Sequence, residues 1–179
     1  MALLRYDVNY CRLMFELCPK AASKEVQPMN GKKIRVLFVC GHNSARSQMA
    51  EVFLEKLGKG AFEAESAGLE LAGRINPLVV EAMKEVGFDL EGKGMQRVMD
   101  LYEQGREYDF VIAVCDAAKA GRCPVFPGSG KRLHWPFEDP ASLEGSWEER
   151  LARTREIRDG IRRKIEDWIA GMGASDLEA

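Results

Sequence analysis

The 179-residue chain lacks any hydrophobic run long enough to cross a bilayer. Its densest apolar stretches, Val36 to Cys40 and Phe110 to Cys115, fall far short of the ~20 residues a spanning helix needs. It also lacks a dominant charge. Lys and Arg number 26 against 28 Asp and Glu, a net charge of −2, so no global field draws the chain to nucleic acid or to an anionic membrane. Arg5, Asp7, Arg12 and Glu16 interrupt any apolar core near the start, so we expect no secretory signal. Internal repeats and low-complexity tracts are missing, and no Cys, His and carboxylate cluster has metal-ligand spacing, so no metal is expected. Cys11 and Cys18, seven apart and without further partners, read as small hydrophobes. The five cysteines, an odd number, cannot all pair within one chain. The expected setting is a reducing cytoplasm, where a cysteine is chemical or buried rather than a structural staple. What is present is an ordinary globular balance, 46% hydrophobic and 30% charged, at a length that fits one domain.

Residues 1–33 differ in character from the rest of the chain. Pro19 and Pro28 punctuate them, Ser23 to Gln27 is polar, and we expect an appendage; the alternative is that Met29 is the translation start. Residues 34–170 form the expected catalytic domain and 171–179 a tail. Ile34 to Val39 is a β-branched and aromatic run of the kind a strand buried on both faces shows. Met49, Ala50, Phe53, Leu54 and Leu57 recur at helical spacing and stop at Gly58. Phe62 to Ala67 reads as a second strand, Asp109 to Val114 as a third and Lys131 to Trp135 as a fourth. Asn76 and Pro77 open a helix whose apolar face is Leu78, Val79, Ala82, Met83 and Val86, closed by Gly87. A weaker helix covers Arg97 to Gln104. Trp147, Leu151, Thr154, Ile157, Ile161, Ile165 and Trp168 mark one face of a long terminal helix, whose Arg and Glu residues read as a solvated outer face. Strands alternating with helices imply an α/β fold, an open parallel sheet covered on both sides.

The sharpest motif is Cys40-Gly41-His42-Asn43-Ser44-Ala45-Arg46-Ser47, a Cys-x5-Arg-Ser loop between a strand and a helix. A helix N-terminus offers unpaired N–H groups and the positive end of its dipole. Such groups converge on the oxygens of a tetrahedral oxyanion. Arg46 adds a planar fork of charged donors suited to two oxygens at once. Cys40 shares this positive field, the setting in which a cysteine acts as a thiolate nucleophile, and Ser47 can donate to its sulfur. His42 either tunes the loop's charge or is a surface histidine, and His134 is expected to pack or hydrogen-bond beneath the loop just after it. Gly128-Ser129-Gly130-Lys131 reads as a turn: Arg132 replaces the Ser or Thr that a nucleotide loop requires, and the earlier Gly is missing.

These residues resemble the low-molecular-weight tyrosine phosphatase superfamily from about Ile34 to Trp168. The resemblance implies a flavodoxin-like sheet of four parallel strands in order 2-1-3-4. Asp139-Pro140 looks like that family's general-acid loop, with Asp139 protonating the departing oxygen. Cys115 and Cys123-Pro124-Val125-Phe126-Pro127, with His134-Trp135, resemble its thioredoxin-coupled arsenate reductases. That resemblance implies Cys40 as nucleophile on arsenate, Cys115 as first and Cys123 as second resolving cysteine. It also implies that Gly41, His42, Asn43, Ser44, Ala45, Arg46 and Ser47 bind the oxyanion, that Asp139 is the acid, and that no tightly bound cofactor is needed beyond thioredoxin as electron donor. If strands 1 and 3 are neighbours, as the family order implies, their ends lie about 4.8 Å apart, compatible with a disulfide after a modest loop shift. Glu51 and Ser66 match positions of a potassium site in some members, but the region near Met95 and Gln96 lacks the expected acidic ligand. A phosphatase hydrolysing phosphate monoesters is the alternative, because water resolves its phosphocysteine without a second thiol; a non-enzymatic oxyanion-binding or redox-sensing module is the third. Cys123 and the proline after it favour the reductase.

Overall fold

In the computed structural model, residues 32–116, 121–128 and 130–172 are described. Most of the expected appendage and tail therefore lies outside the described residues. The elements run in the order β1 (Ile34–Cys40), α1 (Arg46–Leu57), β2 (Phe62–Gly68), α2 (Pro77–Lys84), α3 (Val98–Glu103), β3 (Phe110–Ala113), β4 (Lys131–His134), a 3-10 turn at Pro140–Ser142 and α4 (Trp147–Gly171). The four strands form one sheet in the order β2-β1-β3-β4, all parallel. Cys40 pairs with Gly68 on one side of β1, and Val39 with Ala113 on the other. The carboxyl ends of β1, β2 and β3 thus meet at one edge.

Alternation along β1 sorts the core into two layers. Val36, Phe38 and Cys40 join Met49 and Phe53 of α1, Val79 and Met83 of α2, and Ile157, Ile161 and Ile165 of α4. Leu37 and Val39 point the other way, into a smaller cluster with Val98 and Leu101 of α3, Tyr108, Cys123 and Phe126. Trp168 closes the first layer against Phe62, Phe110 and Trp135, with ring centroids 5.1–5.7 Å apart. Asn76 caps α2 by accepting from the Leu78 N–H at 2.9 Å, and Pro77 sits at the first turn, as the sequence indicates.

One helix end is borne out, and two residues of α4 correct the sequence reading. Gly58 ends α1 in a right-handed conformation, φ −76°; what demands glycine there is space, because a Cβ would lie 2.4 Å from Phe62 Cδ2. Trp147, assigned to the apolar face of α4, is exposed at the first position of the helix. Arg158, assigned to the solvated face, is buried and donates to the Ala82 carbonyl at 2.7 Å and to Glu85 at 3.3 Å, capping the end of α2. Strand ends differ by a residue or so: Val114 and Trp135 lie just past β3 and β4 yet still donate to Val39 and Ala113. Among the described residues, no helix is long and apolar enough to cross a membrane.

Candidate active site

The loop from Cys40 to Arg46 is shaped by where its carbonyls go. Cys40, Gly41, His42 and Ser44 present theirs to the N–H groups of Leu69, Glu70, Ala72 and Asn76, at 2.9–3.1 Å. The Asn43 carbonyl accepts from Gln48 Nε2 at 3.1 Å, and that of Ala45 from the Met49 N–H at 3.0 Å. In a trans peptide the N–H opposes the C=O. Six consecutive carbonyls held outward by neighbours therefore aim the N–H groups of residues 41–46 to the opposite side, into the loop. Gly68 permits this closeness, since a Cβ there would sit 2.7 Å from the Asn43 nitrogen and 2.3 Å from the Glu70 carbonyl. The result is a preformed nest at the N-terminus of α1, a geometry suited to an anion.

Asn43 is the hinge of the nest. It is fully buried and adopts φ 51°, a conformation open to few residues besides glycine and asparagine. Its Oδ1 accepts from the Gln96 N–H at 2.9 Å, which fixes the amide orientation. Its Nδ2 then donates to Ser47 Oγ at 3.0 Å and to Ser66 Oγ at 2.9 Å. Ser47 Oγ, accepting from Asn43, is left to donate to Cys40 Sγ at 3.0 Å, and the Asn43 N–H also reaches that sulfur at 3.2 Å. Cys40 is thus buried with two donors on its sulfur.

Arg46 closes the loop. It is buried and donates through Nη1 to the Phe137 carbonyl at 3.0 Å and through Nη2 to Asp139 Oδ2. Its Nε–H is also buried and has no partner among the described residues. A buried guanidinium N–H without an acceptor is costly, and an oxyanion oxygen is the acceptor its chemistry requests. Asp139 in turn caps the 3-10 turn, accepting from the Ala141 N–H at 3.1 Å, with Pro140 fixing the turn behind it. The acid-loop candidate and the oxyanion-loop arginine are therefore in contact. His42 is half exposed and 4.0 Å from Glu70, a surface residue at the rim.

All three described cysteines are free thiols, and all are buried. Cys115 follows Val114, whose N–H bonds the Val39 carbonyl next to Cys40. Burial, together with the neighbouring charge of Cys40, pushes its thiol pKa up, and Arg46 opposes the rise. Cys123 is packed in a hydrophobic cluster with Val39, Tyr108, Val111 and Phe126, on the sheet face opposite Cys40. Burial pushes its thiol up to about 11. Phe126 anchors this segment edge-on between Tyr102 and Tyr108, at 5.9 and 5.2 Å. A cavity of about 140 Å³ lined by Val111, Ala113, Cys123, Arg132, Leu133 and His134 lies beside the thiol.

The sequence reading missed what fastens this segment. Arg132 and His134 share one face of β4, as alternate residues do. Arg132 donates to the Cys123 carbonyl at 3.2 Å, and His134 Nε2 lies 2.7 Å from that of Cys115. One strand face thus holds both ends of the cysteine segment, and His134 serves it rather than the acid loop. The spacing of the two basic residues on a short strand was the available signal. Residues 117–120 lie outside the described residues. Among the described residues, no group of three or more His, Cys, Asp or Glu is arranged to hold a metal ion.

An oxyanion nest with a thiol and an arginine, mounted on a 2-1-3-4 parallel sheet, defines a class of enzyme. Residues 35–177 match the low molecular weight phosphotyrosine protein phosphatase family, and the chain belongs to it. Among its named relatives, the arsenate reductase of Shouchella clausii is 42% identical over 138 residues, covering 76% of this chain and 95% of the relative. A solved arsenate reductase in the phosphate binding state is 31% identical, with a TM-score of 0.60, and spans 78% of this chain and 99% of that one. The thioredoxin-dependent arsenate reductase of Corynebacterium glutamicum is 26% identical, with a TM-score of 0.54, and spans 77% of this chain and 64% of that one.

Proposed function

We propose that this enzyme reduces arsenate to arsenite through Cys40, Cys115 and Cys123, with thioredoxin as the electron donor. The observation that carries the reading is a segment with two further thiols, Cys115 and Cys123, which starts beside the Cys40 strand end and is fastened by His134 and Arg132. Phosphate-ester hydrolysis has no use for it. The named arsenate reductases support the substrate, and the Corynebacterium neighbour supports the donor.

Arsenate enters the nest on the N–H groups of residues 41–46 and the fork of Arg46. The Cys40 sulfur attacks arsenic, forming a sulfur–arsenic bond, and one oxygen leaves as water after protonation by Asp139. The Cys115 thiolate then attacks the Cys40 sulfur. The sulfur–arsenic bond breaks with its electron pair on arsenic, arsenite departs, and a Cys40–Cys115 disulfide remains. Cys123 attacks Cys115, freeing Cys40, and thioredoxin's two thiols reduce the resulting Cys115–Cys123 disulfide. The buried, protonated state of Cys123 keeps it out of this sequence until its segment moves. Supplying arsenate, thioredoxin, thioredoxin reductase and NADPH should consume NADPH in proportion to arsenate. If NADPH stays constant while an aryl phosphate is hydrolysed in a parallel assay, the enzyme is a phosphatase.

A further inference from the structure

The polar chain behind Cys40 does not end at Asn43. Ser66 Oγ, which accepts from Asn43 Nδ2, donates to Glu51 Oε2 at 2.6 Å. The other oxygen of Glu51 takes the ammonium of Lys93, also at 2.6 Å. Glu51 is largely buried, with 13% of its side chain exposed, and Lys93 at 27% is only partly open to solvent. Lys93 comes from the segment between α2 and α3, and neighbours pin that segment to the nest. Gln48 Nε2 donates to the Gly94 carbonyl at 2.9 Å, and Gln96 donates to Asn43 and to the Ser66 carbonyl.

Two anchors set the directions in this chain, the carboxylate at its end and the Gln96 N–H on Asn43 Oδ1. Ionised Glu51 accepts only, so Ser66 must give it its single hydrogen. Ser66 can then only accept from Asn43. The Asn43 amide, already oriented by Gln96, gives its second hydrogen to Ser47, and Ser47 is left to donate to the Cys40 sulfur. A carboxylate this buried needs a paired charge to remain an acceptor. On the element that carries it, Glu55 one turn away only adds like charge, and the pKa of Glu55 is raised by burial and by Glu51. Lys33 is the other cation near this pair, through its effect on Glu55, but Lys93 is the one in contact. With the ammonium on one oxygen and Ser66 on the other, Glu51 already has its charge paired, and the potassium that the sequence resemblance raises would compete with Lys93 for it. Met95 and Gln96 bring no further carboxylate, so the residues present do not fit that ion.

We propose that Lys93 is a positioning residue that serves as this enzyme's built-in cation: it holds Glu51 as the acceptor of the Ser66 hydrogen, which leaves Ser66 to accept from Asn43 and so supports the Asn43 and Ser47 donors that face Cys40. The inference rests on Cys40 being the nucleophile, so its test reads that thiol directly, without arsenate. Alkylation of Cys40 by iodoacetamide, followed peptide by peptide with mass spectrometry, is compared in the wild type, Lys93→Met, Lys93→Gln and Lys93→Arg at one pH. Cys40 in the wild type should react fastest of the described thiols, and potassium chloride should change its rate no more than choline chloride at equal ionic strength. Lys93→Met should slow Cys40 about tenfold, the equivalent of one lost charge-assisted hydrogen bond. Ammonium chloride should restore part of that rate, and Lys93→Arg should keep most of it. Lys93→Gln, which retains an N–H but no charge, should behave like Lys93→Met and serves in its place if that variant does not fold. The same loss should appear in single-turnover arsenate reduction as a fall in rate with little change in half-saturation. Wild-type alkylation rates in both neutral variants, or a potassium-stimulated wild type, would overturn the proposal. A wild-type Cys40 no faster than Cys115 and Cys123 would instead overturn the assignment of Cys40 itself.

Discussion

Cys40 and Cys123 are both buried thiols at the same end of one sheet, yet their surroundings are opposites. Cys40 lies on the α1 side of β1 and is met by Ser47 Oγ and the Asn43 N–H. Cys123 lies on the α3 side among Val39, Val111 and Phe126, and its thiol is pushed up to about 11. Burial alone therefore says little about a cysteine's chemistry. The polarity of what buries it decides, because donors favour the thiolate and hydrocarbon favours the thiol. The contrast also suits the proposed reaction in sequence: the proposed first nucleophile is preorganised, and the proposed last one is held in the hydrophobic layer. Cys115 stands between them, its ionisation sensing both Cys40 and Arg46.

Arg46→Lys attacks the preorganised side and should have the largest effect. Lysine keeps the charge but cannot bond Phe137, Asp139 and an oxyanion oxygen with one planar fork. Arsenate kcat/KM should fall by about 100-fold or more, with the same loss in single-turnover measurements and a fold retained by circular dichroism. Turnover near the wild-type rate would remove the nest as the substrate site.

Cys123→Ser attacks the silent side, and the expected loss is selective. Cys40 and Cys115 together hold the two electrons that arsenate needs, so one turnover should survive. The variant should release at most about one arsenite per chain and then stall, while the wild type cycles with thioredoxin. Sustained thioredoxin-dependent turnover by the serine variant would make Cys123 a packing residue only.

A smaller effect is expected from Asn43→Ala, which removes three hydrogen bonds from the nest and leaves a left-handed alanine. Stability should fall by about 2–4 kcal/mol, read by urea denaturation, and Cys40 alkylation should slow. Unchanged stability would mean that the surrounding backbone holds the nest without this side chain.

The two sides also differ in how far the sequence discloses them. The Cys40 loop is a local object: nucleophile, nest, arginine and serine fall within eight consecutive residues, so spacing alone displays their chemistry. The strand periodicities likewise announce the α/β layers, because β1 is apolar at every position except Arg35. What was hidden depends on contacts across long sequence separations. The pairing of Arg46 with Asp139, the bond from His134 to the Cys115 carbonyl and the Lys93–Glu51 contact each join segments at least 19 residues apart. Cys123 reads as a loop residue among Gly, Lys and Pro, and only the fold reveals that Phe126 pulls it into a hydrophobic layer. Arg158 looks like one more charge on a solvated helix until α2 is placed beneath it.

The smallest effect tests the hydrocarbon side through stability rather than catalysis. An ordinary cysteine titrates near 9.0, and Cys123 in the folded protein near 11. Between those values the unfolded chain has lost this proton while the folded chain still holds it. The unfolded state then binds fewer protons, so stability declines as pH rises through this window. Below pH 9 the contribution is fully present. Cys115 and Tyr108, both raised chiefly by burial, act in the same direction and set a background loss that remains when Cys123 is replaced. Under reducing conditions, the Tm of the wild type should therefore fall more steeply between pH 9 and 11 than that of Cys123→Ala. The alanine variant should start lower at pH 7, because it leaves a cavity beside Phe126 and Val111. The two curves should converge as pH rises. Parallel curves across the window would mean that the thiol ionises as freely in the folded chain as in the unfolded one, and the contrast between the two ends of the proposed relay would then rest on Cys40 alone.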